Sequence, residues 1–228
     1  MIDPVASVER IALDDTSWVD VSRGWLIDHD DVLATLRDTV AWRTTKLFRY
    51  ERAVEDRRLS ASWRRGQKLP HPSLAEATRW IQNRYRTLFE GFAMVQYRDK
   101  SDGQGFHRDT DMRWLDDTII AVLTLGAQRP WHLRPRDTRF VDAGHGSTAV
   151  QGTAVDLAPA SGDLLVMGGR CQADWEHSVA YLDRSRAEVG VRISLQWRFT
   201  RKTGEPFLGP SYRADVGYGH GKAAPRGS

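Results

Sequence analysis

Residues Arg192–Phe199 alternate without a fault. Arg192, Ser194, Gln196 and Arg198 fall on one face of an extended segment; Ile193, Leu195, Trp197 and Phe199 fall on the other. This is the pattern of a strand with one face in a core, and an ordinary antiparallel strand turns its other face to water. Here the polar face carries two arginines and no acid. That suits a pocket for a carboxylate ligand, because guanidinium grips a carboxylate through two parallel hydrogen bonds. Four more short strands precede it, Phe92–Tyr97, Thr118–Leu125, Trp131–Arg134 and Leu164–Met167, punctuated by Gly, Pro and Asp. Gly144–Gly152 reads as a loop.

The first ninety residues read differently. An irregular arm holds short strands around Trp18–Val21 and Trp25–Ile27. A helix capped by Asp30 or Asp31 runs to about Trp42. A basic stretch comes next, with Arg57, Arg58, Arg64, Arg65 and Lys68 around Trp63. A second helix opens at Ser73, whose spacing to Glu76 is that of a capping box, and carries Leu74, Ala77, Ile81, Tyr85 and Leu88 as an apolar stripe. Helices followed by a run of strands indicate an α+β chain with a β-sandwich or barrel core.

With 228 residues, 40% of them apolar, the chain is long enough for one sizeable domain. We expect residues 1–90 to form a helical and substrate-lid part, 91–203 the core, and 204–228 a Gly- and Pro-rich tail. The net charge of +3 permits a nucleic-acid partner without requiring one. Cys171 is the only cysteine, so no internal disulfide forms, which fits a reducing cytoplasmic setting. No signal peptide is read, and the longest apolar stretch, Ile119–Leu125, is too short to span a bilayer. A monomer without membrane contact is the expectation.

A metal set stands beside the basic strand. In His107-Arg108-Asp109, an imidazole and a carboxylate two residues apart point to one side of an extended segment. Two histidines and one carboxylate are the ligands of a non-haem Fe(II) centre with open positions. The third ligand is sought among His132, on a strand, His145, between glycines, and His177. His177 follows a turn–strand–turn pattern over Gly162–Gly169 and lies at the right distance before the arginine strand, so it is favoured.

Several motifs then resemble the AlkB family of Fe(II)- and 2-oxoglutarate-dependent dioxygenases over roughly residues 55–200. They are Arg58-Leu59 with Trp63, Val95-Gln96-Tyr97-Arg98-Asp99, His107-Arg108-Asp109-Thr110-Asp111, Leu125-Gly126-Ala127-Gln128-Arg129, Gln172-Ala173-Asp174-Trp175-Glu176-His177, and Arg192 through Arg198. The Gln-Ala-Asp-Trp-x-His run is the most specific of these and resembles the eukaryotic-type nucleic-acid demethylases of the family. The resemblance implies a double-stranded β-helix (jelly-roll) core with flanking N-terminal helices. It implies Fe(II), 2-oxoglutarate and O2 as cofactor and co-substrates, with His107, Asp109 and His177 on the metal. Tyr97, Arg192, Ser194 and Arg198 would hold 2-oxoglutarate. Trp63, Arg65, Asp111 and Arg134 would meet the substrate, with Trp63 stacking on an extruded base. The implied reaction is oxidative demethylation of N-alkylated bases in DNA or RNA, releasing formaldehyde and succinate.

Two departures from the family pattern bear on the substrate. Val95 stands where an Asn usually precedes the Tyr by two residues. Ser194 and Gln196 replace the usual Asn and Thr between the two arginines. Val95 has no side-chain hydrogen bond to give, while Ser194 keeps a hydroxyl. The alternative is therefore a hydroxylase or demethylase with the same cofactors acting on a small molecule or a protein.

Overall fold

The computed structural model describes residues 1–49, 52–136, 154–182 and 189–209, and for 45–55 it describes the backbone alone. Gly144–Gly152, His145 and the tail beyond 209 lie outside the described residues. The elements run β1 (Glu9–Ala12), β2 (Ser17–Ser22), α1 (His29–Thr39), β3 (Arg43–Arg49), β4 (Arg52–Arg64), α2 (Ser73–Tyr85), β5 (Gly91–Tyr97), β6 (Gln104–His107), β7 (Thr118–Gly126), β8 (Trp131–Pro135), β9 (Val155–Asp156), β10 (Leu164–Gly169), α3 (Cys171–Asp174), β11 (Trp175–Val179) and β12 (Arg192–Thr200), with a short 3-10 turn at Thr110–Met112.

Two antiparallel sheets form a jelly-roll. The larger has the order β1-β2-β10-β7-β12-β5-β4-β3, the smaller β6-β11-β8-β9. Strand β7 shows how the layers are built. Ile119, Ala121, Leu123 and Leu125 face the helices, where they meet Ile193, Leu195 and Trp197 of β12 and Val32, Leu36, Leu74 and Ile81 of α1 and α2. Ile120 and Val122 face the other way and pack with Trp131 and Leu133 of the smaller sheet. Period-two alternation thus sends one row of each central strand to the helices and the next into the space between the sheets. Among the described residues, no helix is long and apolar enough to cross a membrane.

Several sequence expectations are corrected. The arm read over residues 1–30 carries β1 and β2, the second where a strand around Trp18–Val21 was expected, and with β3 and β4 these strands extend the larger sheet at both ends. The long hairpin of β3 and β4 gives little sequence signal. Its one apolar row is short, Leu59, Ala61 and Trp63, and the charged run Glu55–Arg58 interrupts the alternation before it. Trp25–Ile27 is no strand; Leu26 makes only an isolated bridge to Ile2. Strands β6, β9 and β11 are too short to announce themselves by periodicity. Helix α1 starts at His29 and stops at Thr39, so Asp30 and Asp31 lie in its first turn rather than capping it. Helix α2 has no capping box: the Ser73 hydroxyl donates to Asp28 Oδ2 at 2.5 Å. The Ser73 amide instead donates to His71 Nδ1 at 3.2 Å, so a histidine fills the capping role.

Candidate active site

The space between the sheets opens into a cavity of about 720 Å³. Its candidate metal-binding wall comes from three places. His107 ends β6, Asp109 sits two residues later ahead of the 3-10 turn, and His177 is mid-strand on β11. The pairing of β11 with β6 sets His177 directly opposite His107. One ligand atom from each of the three residues lies within 4.8 Å of the others. His132 is not among them; it lies on β8, 3.6 Å from Asp156.

Each of the three side chains is held from behind. His107 Nδ1 lies 2.9 Å from the Gly105 carbonyl, which fixes the proton there and turns Nε2 towards the cluster. The His177 ring stacks on Trp131, centroids 5.5 Å apart and 19° from parallel. The Asp109 amide donates to Gln172 Oε1 at 2.8 Å, and Arg198 Nε donates to Asp109 Oδ2 at 2.8 Å. Burial pushes both imidazole pKa values down, that of His177 to about 3, so both rings are neutral at pH 7, the form that can ligate a metal. Burial alone would raise the pKa of Asp109, but Arg198 and the two imidazoles outweigh it and hold the carboxyl well below the usual range.

Ser194, Gln196 and Arg198 of β12 line this cavity, and Arg192, on the same strand face, sets its guanidinium 5.9 Å from the ring of Tyr97, which also lines it. Arg192 is fully buried and Ser194 is 1% exposed. Arg192 Nη2 donates to Thr124 Oγ1 at 3.0 Å. Its Nε and Nη1, and the Ser194 hydroxyl, have no hydrogen-bond partner among the described residues. A buried cation with two unanswered donors is costly unless an anion meets it. A carboxylate of 2-oxoglutarate fits that demand, as two imidazoles and a carboxylate fit Fe(II). Tyr97 lies on the same wall, with Arg58 donating to its hydroxyl at 3.5 Å. Val95 pairs directly with Ser194, so the departures from the family pattern meet at one point.

The substrate candidates separate. Asp111 and Arg198 line the cavity. Trp63 is among the residues that line it. On β4, Arg58, Ser60 and Ser62 also line it, and the Trp63 ring stacks on Phe92 with centroids 6.1 Å apart. Arg65 does not reach this cavity; it lines a separate one. Arg134 is not in the wall either: it pairs with Glu176 at 2.9 Å and covers the Phe106 ring. Arg129 is a structural residue, fully buried and donating to the carbonyls of Asp99, Asp102 and Ala180.

Sequence reasoning missed Asp56, which lies in the wall and takes two bonds from Arg58 at 2.9 and 2.6 Å. Its signal was the spacing of two from Arg58, readable once β4 is seen as a strand. Gln172 stands out in the sequence only as part of a motif. Fully buried, it is the acceptor that holds the Asp109 backbone. We expect Gln172→Leu to weaken metal binding by about 10–100-fold, measured by Mn(II) titration, and Gln172→Glu, which keeps an acceptor, to restore much of it.

A model of the 2OG-Fe(II) oxygenase superfamily matches residues 29–198. Alpha-ketoglutarate-dependent dioxygenase alkB homolog 3 of Homo sapiens is 26% identical over 189 residues, 78% of this chain and 64% of the human protein. DNA oxidative demethylase ALKBH2 of Arabidopsis thaliana is 30% identical over 122 residues, 48% of this chain and 37% of the plant protein. The chain thus spans less than two thirds of the length of these relatives. Among solved structures, a prolyl hydroxylase from Trichoplax adhaerens in complex with a peptide fragment superposes with a TM-score of 0.55 at 11% identity, covering 79% of this chain and 83% of that one.

Proposed function

The chain belongs to the 2OG-Fe(II) oxygenase superfamily, and from that premise we propose that it demethylates N-alkylated bases in DNA or RNA. The reaction class and its cofactors, Fe(II), 2-oxoglutarate and O2, follow from the family and from the His107, Asp109 and His177 cluster. Similarity to AlkB homologues supports a nucleic-acid substrate.

When bound, iron and 2-oxoglutarate supply the oxidising power, taking O2 and leaving succinate and CO2. This chain's own residues supply position. Gly105 and Trp131 orient the two imidazoles, and Gln172 and Arg198 hold the carboxylate. Arg192, Ser194 and Tyr97 are proposed to grip the co-substrate by its acid groups. Arg198, bound to Asp109, would place its charge between co-substrate and substrate. The apolar wall of Ile120, Val122 and Val179 keeps that part of the cavity dry.

The observation that carries the substrate assignment is Asp111. It lines the cavity on the turn that begins at Asp109, where a carboxylate can accept hydrogen bonds from the edge of an extruded base. Hydroxylation of an N-methyl carbon beside it yields a hemiaminal that loses formaldehyde and restores the base. The test is formaldehyde release from N-methylated single- and double-stranded oligonucleotides with Fe(II), ascorbate and 2-oxoglutarate. Release from either supports the assignment; none from both refutes it.

Val95 on the cavity wall favours a second reading, a small-molecule or protein substrate for the same cofactors. Salt separates the two. Nucleic-acid affinity falls steeply with salt, while that of a small neutral substrate barely changes.

A further inference from the structure

A second cavity, of about 340 Å³, opens where β4 ends and β5 begins, on the helix side of the larger sheet. Its floor is apolar: Phe89 and Phe92 are buried, and Leu88 is 51% exposed at the lip. Arg64, Arg65 and Arg79 stand round it, and among the described residues no acidic one lines it. All three arginines are exposed, and none has a side-chain hydrogen bond or ion pair with a described residue.

The corner is built, not loose. The Arg65 amide donates to the Glu90 carbonyl at 2.7 Å, and the Arg64 amide to Gln67 Oε1 at 2.7 Å. Gly91 takes φ +148°, and a Cβ there would stand 1.9 Å from the Trp63 carbonyl oxygen, so only glycine lets the two strands close. Three like charges gathered without a counter-charge repel one another, and an anion relieves that repulsion. Guanidinium suits phosphate, and an aromatic and aliphatic floor suits the face of a base or sugar.

Position links this cavity to the active site. Ser62 lines the catalytic cavity and Arg64 lines this one. The two cavities lie on opposite faces of the larger sheet and both reach the end of β4, so a chain leaving one rounds that end to enter the other. We propose that this cavity binds the nucleotides flanking the base in the active site. A single strand then crosses the β4–β5 corner with its phosphates on Arg64, Arg65 and Arg79. The proposal rests on the nucleic-acid reading of the active site.

The test compares the parent protein with Arg64→Ala/Arg79→Ala, whose positions are exposed and outside the catalytic cavity. Binding of undamaged oligothymidylate of eight residues is followed by fluorescence anisotropy between 50 and 200 mM salt. Turnover is measured on an N-methylated mononucleotide and on an N-methylated octamer. The variant should bind the octamer about tenfold or more weakly, with a log–log salt slope smaller by about two. Its KM for the methylated octamer should rise in step, while its KM for the mononucleotide and its thermal midpoint stay at parental values. Parental affinity and slope in the variant, with a parent that still binds and repairs the octamer, would overturn this proposal and leave the active-site reading standing. An equal loss on mononucleotide and octamer would overturn it too. Polyglutamate displacing the octamer as well as DNA of equal charge would assign the cavity to acidic protein segments instead. A parent that binds no oligonucleotide at either salt would overturn the nucleic-acid reading, and this proposal with it.

Discussion

Arg192→Met is expected to leave the protein free of metal and co-substrate as stable as the parent, or more so. The same change should raise the KM for 2-oxoglutarate by about 10²–10³-fold. Arg192 is fully buried, and burial pulls its pKa down to about 10, a sign that the folded chain disfavours the charge. One hydrogen bond, to Thr124, answers three donor nitrogens. A methionine fills similar space without the desolvation cost, and replacing a buried charge by a packed apolar group is commonly neutral or stabilising. The ligand loses in proportion. Truncating one partner of a buried charge pair costs about 2–5 kcal/mol, and about 1.4 kcal/mol is tenfold in binding. Thermal midpoints with and without 2-oxoglutarate, together with its KM, check both halves. A variant less stable than the parent without ligand but with unchanged KM would show Arg192 to be a structural residue only.

Asp109→Ala is expected to do the reverse to stability and to abolish turnover. The carboxylate has two duties: it is one of the three candidate metal ligands, and it neutralises Arg198 through bonds at 2.8 and 3.3 Å. Removing it leaves Arg198 bonded to the Gln196 side chain, a neutral acceptor, with Asp111 as the more distant carboxylate that compensates only part of the charge. Breaking a buried pair from one side costs about 3–5 kcal/mol; the Arg198 side chain is 19% exposed, so we expect about 2–4 kcal/mol here. Turnover should fall below detection, because two imidazoles alone hold Fe(II) weakly and without the charge balance of the triad. Urea unfolding of the metal-free protein and succinate formation measure the two effects. Two arginines on one strand face thus behave oppositely: Arg192 lacks an anion that the fold itself supplies, and Arg198 has one.

The same strand marks how far the chain can be read without its structure. The alternation of Arg192–Phe199 was legible because each row has one environment: Ile193, Leu195 and Trp197 in the helix-side core, Ser194, Gln196 and Arg198 in the cavity wall with Arg192 buried on the same face. The spacing of His107 and Asp109 was legible for the same reason. His177 could be favoured only through the arginine strand downstream of it, since the strand that aligns it with His107 is five residues long. The hairpin of β3 and β4 was not legible. Its cavity face is polar (Arg58, Ser60, Ser62), and the row of Leu59, Ala61 and Trp63 behind it is too short for a hydrophobic period to announce a thirteen-residue strand. Losing that strand left the direction of Trp63 unread, because side-chain direction in a strand is set by register and not by residue type. It also hid Asp56, and it made Arg64 and Arg65 look like one cluster with Arg58, when Arg58 faces one cavity and they line another.

The central claim is that a ligand in the cavity of the His107, Asp109 and His177 cluster reaches the buried cation of Arg192, which lies beside the lining residue Tyr97. A crystal structure with Mn(II) and 2-oxoglutarate tests it most directly. The predicted result is one metal ion held by His107 Nε2, the Asp109 carboxylate and His177, with a 2-oxoglutarate carboxylate on Arg192 Nε and Nη1. Metal bound elsewhere, or 2-oxoglutarate bound without contact to Arg192, would contradict it.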